Sequence, residues 1–151
     1  MRRIGFVGLG AMGMPMARNL LAKGFEVRGF DLNPAALADL EAAGGTPAGS
    51  VREACTGADA VVLMVVNAAQ AEAVLFAQGA LEAVPAGAIV CLMATCPPKQ
   101  VEAIAARVAA AGHRFVDCPV SGGVVGATAG SLTVMAAAPA DVFEAARQHR
   151  V

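Results

Sequence analysis

Short apolar runs alternate with longer stretches of mixed polarity along the chain. The apolar runs predict strands at Ile4–Val7, Val27–Phe30, Ala60–Val65, Ala88–Cys91, Arg114–Val116 and Leu132–Ala136. The stretches between them are rich in Ala and carry apolar residues three and four positions apart, which predicts helices. These helices are Met12–Lys23, Pro34–Ala43, Ala68–Phe76, Pro98–Ala111 and Ala140–His149. Strands that alternate with helices form βαβ units, so we predict an α/β, Rossmann-type doubly wound, mostly parallel sheet with helices on both faces.

The predicted helices end at glycines, namely Gly24, Gly44 and Gly112, where the chain often takes a positive φ. No Ser- or Pro-rich linker and no repeat interrupts the 151 residues, so we expect a single domain over residues 1–151. The last predicted helix reaches the end of the sequence without a capping glycine. This indicates a chain shortened near the end of that domain.

Composition narrows the kinds of partner that the chain can have. Hydrophobic residues make up 57% of it and charged residues 15%, with a net charge of −1, which excludes a disordered chain. Without a basic stripe, and with no Trp or Tyr, the chain is a poor candidate for binding nucleic acid, so we expect small-molecule partners. The longest apolar stretch, Ala58–Val66, is far shorter than the roughly 20 residues that cross a bilayer. We therefore expect no membrane span and, since no signal sequence is evident, a cytoplasmic protein.

The four cysteines, Cys55, Cys91, Cys96 and Cys118, have no CxxC pairing and no nearby His at metal-binding spacing. This pattern favours buried, reduced thiols over zinc ligands or disulfides. We expect no metal site.

A glycine-rich turn joins the first predicted strand to the first predicted helix with the spacing GxGxxG. Gly8 permits a tight turn, Gly10 lets a pyrophosphate approach the backbone, and Gly13 lets helix and strand pack closely. The N-terminus of the helix would then face the phosphates. The cofactor-binding residues expected here are Gly8, Leu9, Gly10, Ala11, Met12 and Gly13.

An acidic residue follows the second predicted strand, where it can accept hydrogen bonds from the adenosine ribose hydroxyls. The cofactor-binding residues expected there are Asp31, Leu32 and Asn33. Because the carboxylate would repel a 2′-phosphate, NAD is favoured over NADP, although Arg28 lies close in sequence and could face either way. Alternatively, Asp31 caps the helix that begins at Pro34, a role that Asn33 fills as well.

Beyond this fingerprint, two longer runs resemble the β-hydroxyacid dehydrogenase family, which includes 3-hydroxyisobutyrate dehydrogenases, tartronate semialdehyde reductases and L-threonate dehydrogenases. The run from Gly5 to Leu20 resembles the family's cofactor signature. The run from Asp117 to Gly123, together with Gly126 and the segment from Ser131 to Met135, resembles its substrate-binding signature.

A third block, Met93-Ala94-Thr95-Cys96-Pro97-Pro98, stands where the family usually has a Ser-Thr pair before Pro; here Ala94 replaces the Ser. The resemblance implies that Thr95 lies near the nicotinamide ribose and the substrate. The run from Leu63 to Gln70, which contains the expected cofactor residues Val65, Val66 and Asn67, looks most like the L-threonate dehydrogenase branch.

Val65–Asn67, Thr95 and Ser121 each follow a predicted strand, so they should line one crevice at the carboxyl ends of the parallel strands. Ser121, Gly122 and Gly123 offer a hydroxyl and unobstructed backbone N–H groups, which suit a substrate carboxylate. Without the resemblance, these three residues would be read as a plain flexible turn.

The implied reaction is hydride transfer between nicotinamide and a small hydroxy acid such as L-threonate or 3-hydroxyisobutyrate. The family's general base is a Lys on a later helix, and it has no counterpart here, so we expect no catalytic residue in this chain. Lys23, Lys99, His113 and His149 are read as structural or solvated. The family's helical substrate and dimerisation domain is also missing, and the full-length form is expected to be a homo-oligomer. Alternatives are a tartronate semialdehyde reductase and a non-catalytic dinucleotide-binding module; Ser121 argues against an imine substrate.

Overall fold

Six parallel strands form the central sheet of the computed structural model, which describes residues 3–148. They lie in the order β3-β2-β1-β4-β5-β6. Their bounds are β1 Arg3–Val7, β2 Glu26–Phe30, β3 Thr46–Pro47, β4 Ala60–Leu63, β5 Ile89–Leu92 and β6 Arg114–Asp117. The strand order reverses between β1 and β4, which is where open parallel sheets bind ligands. The predicted fold class is confirmed.

Helices cover both faces of the sheet because side chains alternate along each buried strand. The helices are α1 Gly13–Ala22, α2 Pro34–Ala42, α3 Val51–Cys55, α4 Ala68–Glu72, α5 Ala80–Ala83, α6 Pro98–Ala110, α7 Gly123–Ala129 and α8 Ala140–Gln148. In β4, Val61 and Leu63 join one core with α3 to α6, whereas Ala60 and Val62 join a second core with α1, α2 and α8. Gly24, Gly44 and Gly112 follow α1, α2 and α6 with positive φ, as predicted.

The strand predicted at Leu132–Ala136 does not enter the central sheet. Only Thr133–Val134 (β8) is a strand, and it pairs antiparallel with Val120–Ser121 (β7). The sixth strand of the sheet is instead β3, which the apolar pattern missed because it has two residues, one of them Pro, at the sheet edge. The predicted strand Ala60–Val65 was also too long, since it ends at Leu63.

Three short helices, α3, α5 and α7, were not predicted because none is long enough to show a helical period. The predicted helix Ala68–Phe76 divides into α4 and a π-helical turn, Ala73–Ala77. The predicted end of the last helix at His149 lies outside the described residues. No helix within residues 3–148 is long and apolar enough to cross a membrane.

Candidate functional site

The turn between β1 and α1 is fixed by backbone contacts with the strands on either side. The N–H of Gly8 donates to the carbonyl oxygen of Phe30 in β2 at 3.0 Å, and its φ is +96°. A Cβ on Gly8 would strike the carbonyl group of Met64, and one on Gly13 would strike the carbonyl oxygen of Gly8. Both positions therefore require glycine.

Gly10, at the tip of the turn, is open: a Cβ there would meet no atom within 4 Å. Within residues 3–148, the backbone N–H groups of Gly10, Ala11 and Met12 donate no hydrogen bond. They lie at the N-terminus of α1, where the helix dipole favours negative charge. The turn thus offers donors, space and a favourable field to an anion.

Asp31 ties the end of β2 to this turn. Its Oδ2 accepts a hydrogen bond from the N–H of Leu9 at 2.7 Å, and its Oδ1 accepts one from the N–H of Asn33 at 2.8 Å. The Oδ1 of Asn33 caps α2 by accepting from the N–H of Ala35, so the cap of α2 is Asn33. Each carboxylate oxygen of Asp31 keeps acceptor capacity for a ligand hydroxyl.

Arg28 turns away from Asp31. Its Nη1 donates to the carbonyl oxygen of Glu53 in α3 at 3.2 Å.

A cleft of about 310 Å³ lies at the carboxyl ends of β1, β2 and β4. Its volume is within the usual range for small-molecule sites. Leu32 and Val66 are 91% and 77% exposed, although both are large apolar residues. The predicted site residues that line the cleft are Gly8, Gly10, Asp31, Leu32, Val65 and Val66. Of the others, Leu9 is buried in the core.

The chain after β4 is held by two side-chain caps. Asn67 Oδ1 accepts from the N–H of Gln70 at 2.9 Å, and Gln70 Oε1 accepts from the N–H of Val66 at 3.0 Å. Gln70 and Gln78 also line the cleft and were not singled out in the sequence. The Asn-x-x-Gln spacing resembles a capping box and could have revealed Gln70. Gln78 follows the π-helical turn Ala73–Ala77, and no pattern in the sequence predicted that turn.

The cleft is not lined by Thr95, which was predicted to lie near the nicotinamide ribose and the substrate, nor by the predicted substrate residues Ser121, Gly122 and Gly123. Thr95 is exposed after β5, Ser121 is in β7, and Gly122 and Gly123 have φ of +132° and +62° where α7 begins. These residues form a strand-to-helix junction and not a turn between two strands; their role in binding a substrate stays a prediction. Asn19 of α1 donates from Nδ2 to the carbonyl oxygen of Ala127 in α7 at 2.6 Å, which links the two regions.

Three of the four thiols have a raised pKa, which disfavours the nucleophilic thiolate form. Burial raises the pKa of Asp117, and burial together with the Asp117 charge raises the pKa of Cys96. A hydrogen bond with Cys91, followed by burial, raises the pKa of Cys118 well above its usual range, and burial raises the pKa of Cys55 to about 12. Cys96 is only half-buried, so the prediction of a buried thiol was wrong there.

The residues described hold no group of three or more His, Cys, Asp or Glu side chains placed to bind a metal ion. Lys23 and Lys99 are exposed, and His113 is half-buried.

Residues 3–149 match a family model described as the NAD binding domain of 6-phosphogluconate dehydrogenase. The chain belongs to this family of NAD-binding domains. Among similar proteins, it is 44% identical over 146 residues to an L-threonate dehydrogenase from Cupriavidus necator, covering 96% of this chain and 49% of the relative. It is 40% identical over 148 residues to an NAD-dependent L-serine dehydrogenase from Pseudomonas aeruginosa, covering 97% of this chain and 50% of the relative.

A 3-hydroxyisobutyrate dehydrogenase from Mycobacterium tuberculosis, solved with L-serine, superimposes with a TM-score of 0.93 at 32% identity. The match covers 98% of this chain and 50% of that one. The chain thus spans about half the length of the curated relatives it matches. The predicted kinship with hydroxyacid dehydrogenases is confirmed, as is NAD as the cofactor of this domain family.

Proposed function

We propose that this chain is the cofactor-binding part of an NAD-dependent hydroxyacid dehydrogenase. Its reaction would be hydride transfer between nicotinamide and a small hydroxy acid such as L-threonate or 3-hydroxyisobutyrate. The observation that carries the proposal is Asp31, which lies at the end of β2, bonds to the glycine turn and lines the same cleft as Gly8 and Gly10.

The residues present fit a dinucleotide. The unpaired N–H groups of Gly10, Ala11 and Met12 would hold the pyrophosphate, since nothing obstructs their approach. Asp31 would accept from the ribose hydroxyls. The exposed side chains of Leu32 and Val66 give the cleft apolar walls suited to a flat base.

Charge favours NAD over NADP at this site. A 2′-phosphate would lie against the carboxylate of Asp31, and the Arg28 guanidinium that could balance it is bonded to α3 instead. We therefore propose that NADP binds more weakly.

For the hydroxy acid, we propose that Ser121, Gly122 and Gly123, which are exposed, supply a hydroxyl and backbone N–H groups to a carboxylate. Thr95, also exposed, would lie near the nicotinamide ribose and the substrate. The bound nicotinamide would supply the hydride chemistry.

Turnover also requires a general base. The lysine that the resemblance implies matches no position in residues 1–151, and Lys23 and Lys99 are exposed, so we propose that this chain alone binds cofactor without turnover. We further propose that the active form is a homo-oligomer completed by a helical domain, in the cytoplasm.

A tartronate semialdehyde reductase would use the same cofactor half, so that candidate stays open. A non-catalytic binding module is the other alternative.

Calorimetry of the 151-residue chain with NADH and NADPH tests the cofactor assignment. We expect NADH to bind more tightly, and Asp31→Asn to weaken NADH binding at least about tenfold, because a hydrogen bond to a charged acceptor is worth about 1.5–3 kcal/mol and about 1.4 kcal/mol is a factor of ten. Asp39→Asn, the same change at an exposed site on α2, is the matched control. The proposal is wrong if the chain binds neither nucleotide or binds NADPH as tightly as NADH.

A second assay addresses turnover. The chain with NAD and either L-threonate or 3-hydroxyisobutyrate should form no NADH. If NADH forms, the proposal that this chain has no general base for the reaction is wrong.

A further inference from the structure

Gln78 lines the cleft and comes directly after the π-helical turn Ala73–Ala77. Its N–H donates to the carbonyl oxygen of Ala73 at 2.8 Å, five residues back, where an α-helix would reach back only four. This wider turn changes the direction in which the following residues face. Such turns are frequently found at functional sites.

The turn is anchored on both sides, so Gln78 has a fixed place. Val74 and Leu75 are buried in the core, and Val74 also lines the cleft. On the other side, Gly79 has φ of +77°, and Ala80 and Leu81 are buried in the same core as Val74 and Leu75. Because the chain is packed into the core on both sides of Gln78, the backbone there has little freedom to move away from the cleft.

The polar side chains that line the cleft differ in how many of their hydrogen-bonding groups are already bonded within the protein. Both oxygens of Asp31 already accept hydrogen bonds, and the amide oxygen of Gln70 is bonded to the N–H of Val66. The Gln78 side chain is exposed and makes no hydrogen bond within residues 3–148. Its carbonyl and its NH₂ are both uncommitted.

We propose that Gln78 is a specificity-determining residue that reads the base of the dinucleotide, and this rests on the proposed function. The base is joined to the ribose that Asp31 would hold, so it would enter the cleft that Leu32, Val66 and Gln78 line. A glutamine amide pairs with two adjacent groups on adenine: its oxygen accepts from the 6-amino group and its NH₂ donates to N7.

Hypoxanthine tests this pairing because it has almost the same shape as adenine but a carbonyl oxygen in place of the 6-amino group. Its 6-oxygen and N7 are both acceptors, so the Gln78 oxygen would lose its donor. Apolar contacts with Leu32 and Val66 would be unchanged. The amide contact should therefore distinguish adenine from hypoxanthine, whereas the apolar contacts with Leu32 and Val66 should not.

The experiment measures the affinity of the 151-residue chain for NAD and for nicotinamide hypoxanthine dinucleotide. We expect NAD to bind about tenfold more tightly, as one lost contact of this kind predicts. Gln78→Met keeps the length of the side chain but has no amide, and it should reduce the ratio to about twofold or less, chiefly by weakening NAD. Gln100→Met, on the exposed surface of α6, is the matched control and should keep the ratio. Thermal melts establish that both variants fold.

Two results would overturn the assignment of Gln78: equal affinity of the unmodified chain for both dinucleotides, or a ratio that survives in Gln78→Met. In either case NAD still binds, so the proposed function stands. If the unmodified chain binds neither dinucleotide, the proposed function fails and the role of Gln78 fails with it.

Discussion

The turn between β1 and α1 and the segment of residues 120–134 are two parts of the candidate site that are held in different ways. The turn is bonded through Gly8 to β2 and through Leu9 to Asp31, and Leu9 is only 2% exposed. The later segment has two-residue strands, and its Val125 is 83% exposed. A cavity of about 200 Å³ separates it in part from α1.

This difference shows what each part needs in order to hold its shape. The cofactor turn is built from close backbone approaches, so a single methyl group in the wrong place should disrupt it. The later segment depends on a few long-range ties, of which the hydrogen bond from Asn19 to Ala127 is the shortest side-chain example among the residues described. The two parts should therefore respond differently to mutation.

The largest effect is expected at the turn. Gly13→Ala places a methyl group against the carbonyl oxygen of Gly8, and backbone atoms cannot move aside as a flexible side chain can. We expect a loss of about 3 kcal/mol in the free energy of unfolding, measured by urea titration, with loss of NADH binding.

Gly10→Ala is the matched control, since its methyl group would enter open space. It should leave stability within about 0.5 kcal/mol and weaken NADH binding alone. Equal stability of the Gly13 and Gly10 variants would contradict the account of the turn.

An intermediate effect is expected at the hydrogen bond from Asn19 to Ala127, which joins α1 to α7. Asn19→Asp keeps the shape of the side chain but replaces the donor to Ala127 with a carboxylate oxygen, which repels the carbonyl. We expect about 1.5 kcal/mol of destabilisation. Hydrogen exchange should show lost protection in α7 while α1 keeps its protection.

Asn33→Asp makes the same chemical change at the cap of α2, where Asp serves as well as Asn, and it should be nearly neutral. If α7 keeps its protection from hydrogen exchange in Asn19→Asp, the hydrogen bond from Asn19 to Ala127 does not stabilise α7.

The same contrast explains what could be predicted from the sequence. The glycine turn and Asp31 were predictable because their spacing along the chain carries the chemistry. The kinship with hydroxyacid dehydrogenases was also evident, from runs such as Gly5 to Leu20. These features depend on residues close together in sequence.

The missed features depend on contacts that spacing does not reveal. Thr46–Pro47 is a strand only because β2 lies beside it, and Thr133–Val134 pairs with Val120–Ser121 rather than with the central sheet. The apolar run at 132–136 indicated an extended chain but not its partner. Gln78 reaches the cleft through a change of helical period that the Ala-rich sequence from Ala68 onward conceals.

The smallest effect concerns Asp117, which ends β6 at the edge of the central sheet and lies just before the segment of residues 120–134. Burial raises the pKa of this carboxyl above its ordinary value of 3.8, so the folded state binds the proton more tightly than the unfolded state. As pH rises through the interval between the unfolded and folded pKa values, the unmodified chain therefore loses stability, and it stays less stable above that interval. Asp117→Asn is neutral throughout and should be more stable at pH 7 by less than about 0.5 kcal/mol, since the site is partly exposed. Urea titrations at pH 7 and below pH 3.8 should show the gain only at the higher pH, with exposed Asp39→Asn as the control for net charge. A gain that is the same at both pH values would mean that the amide stabilises the end of β6 by a contact and not by removing a poorly solvated charge.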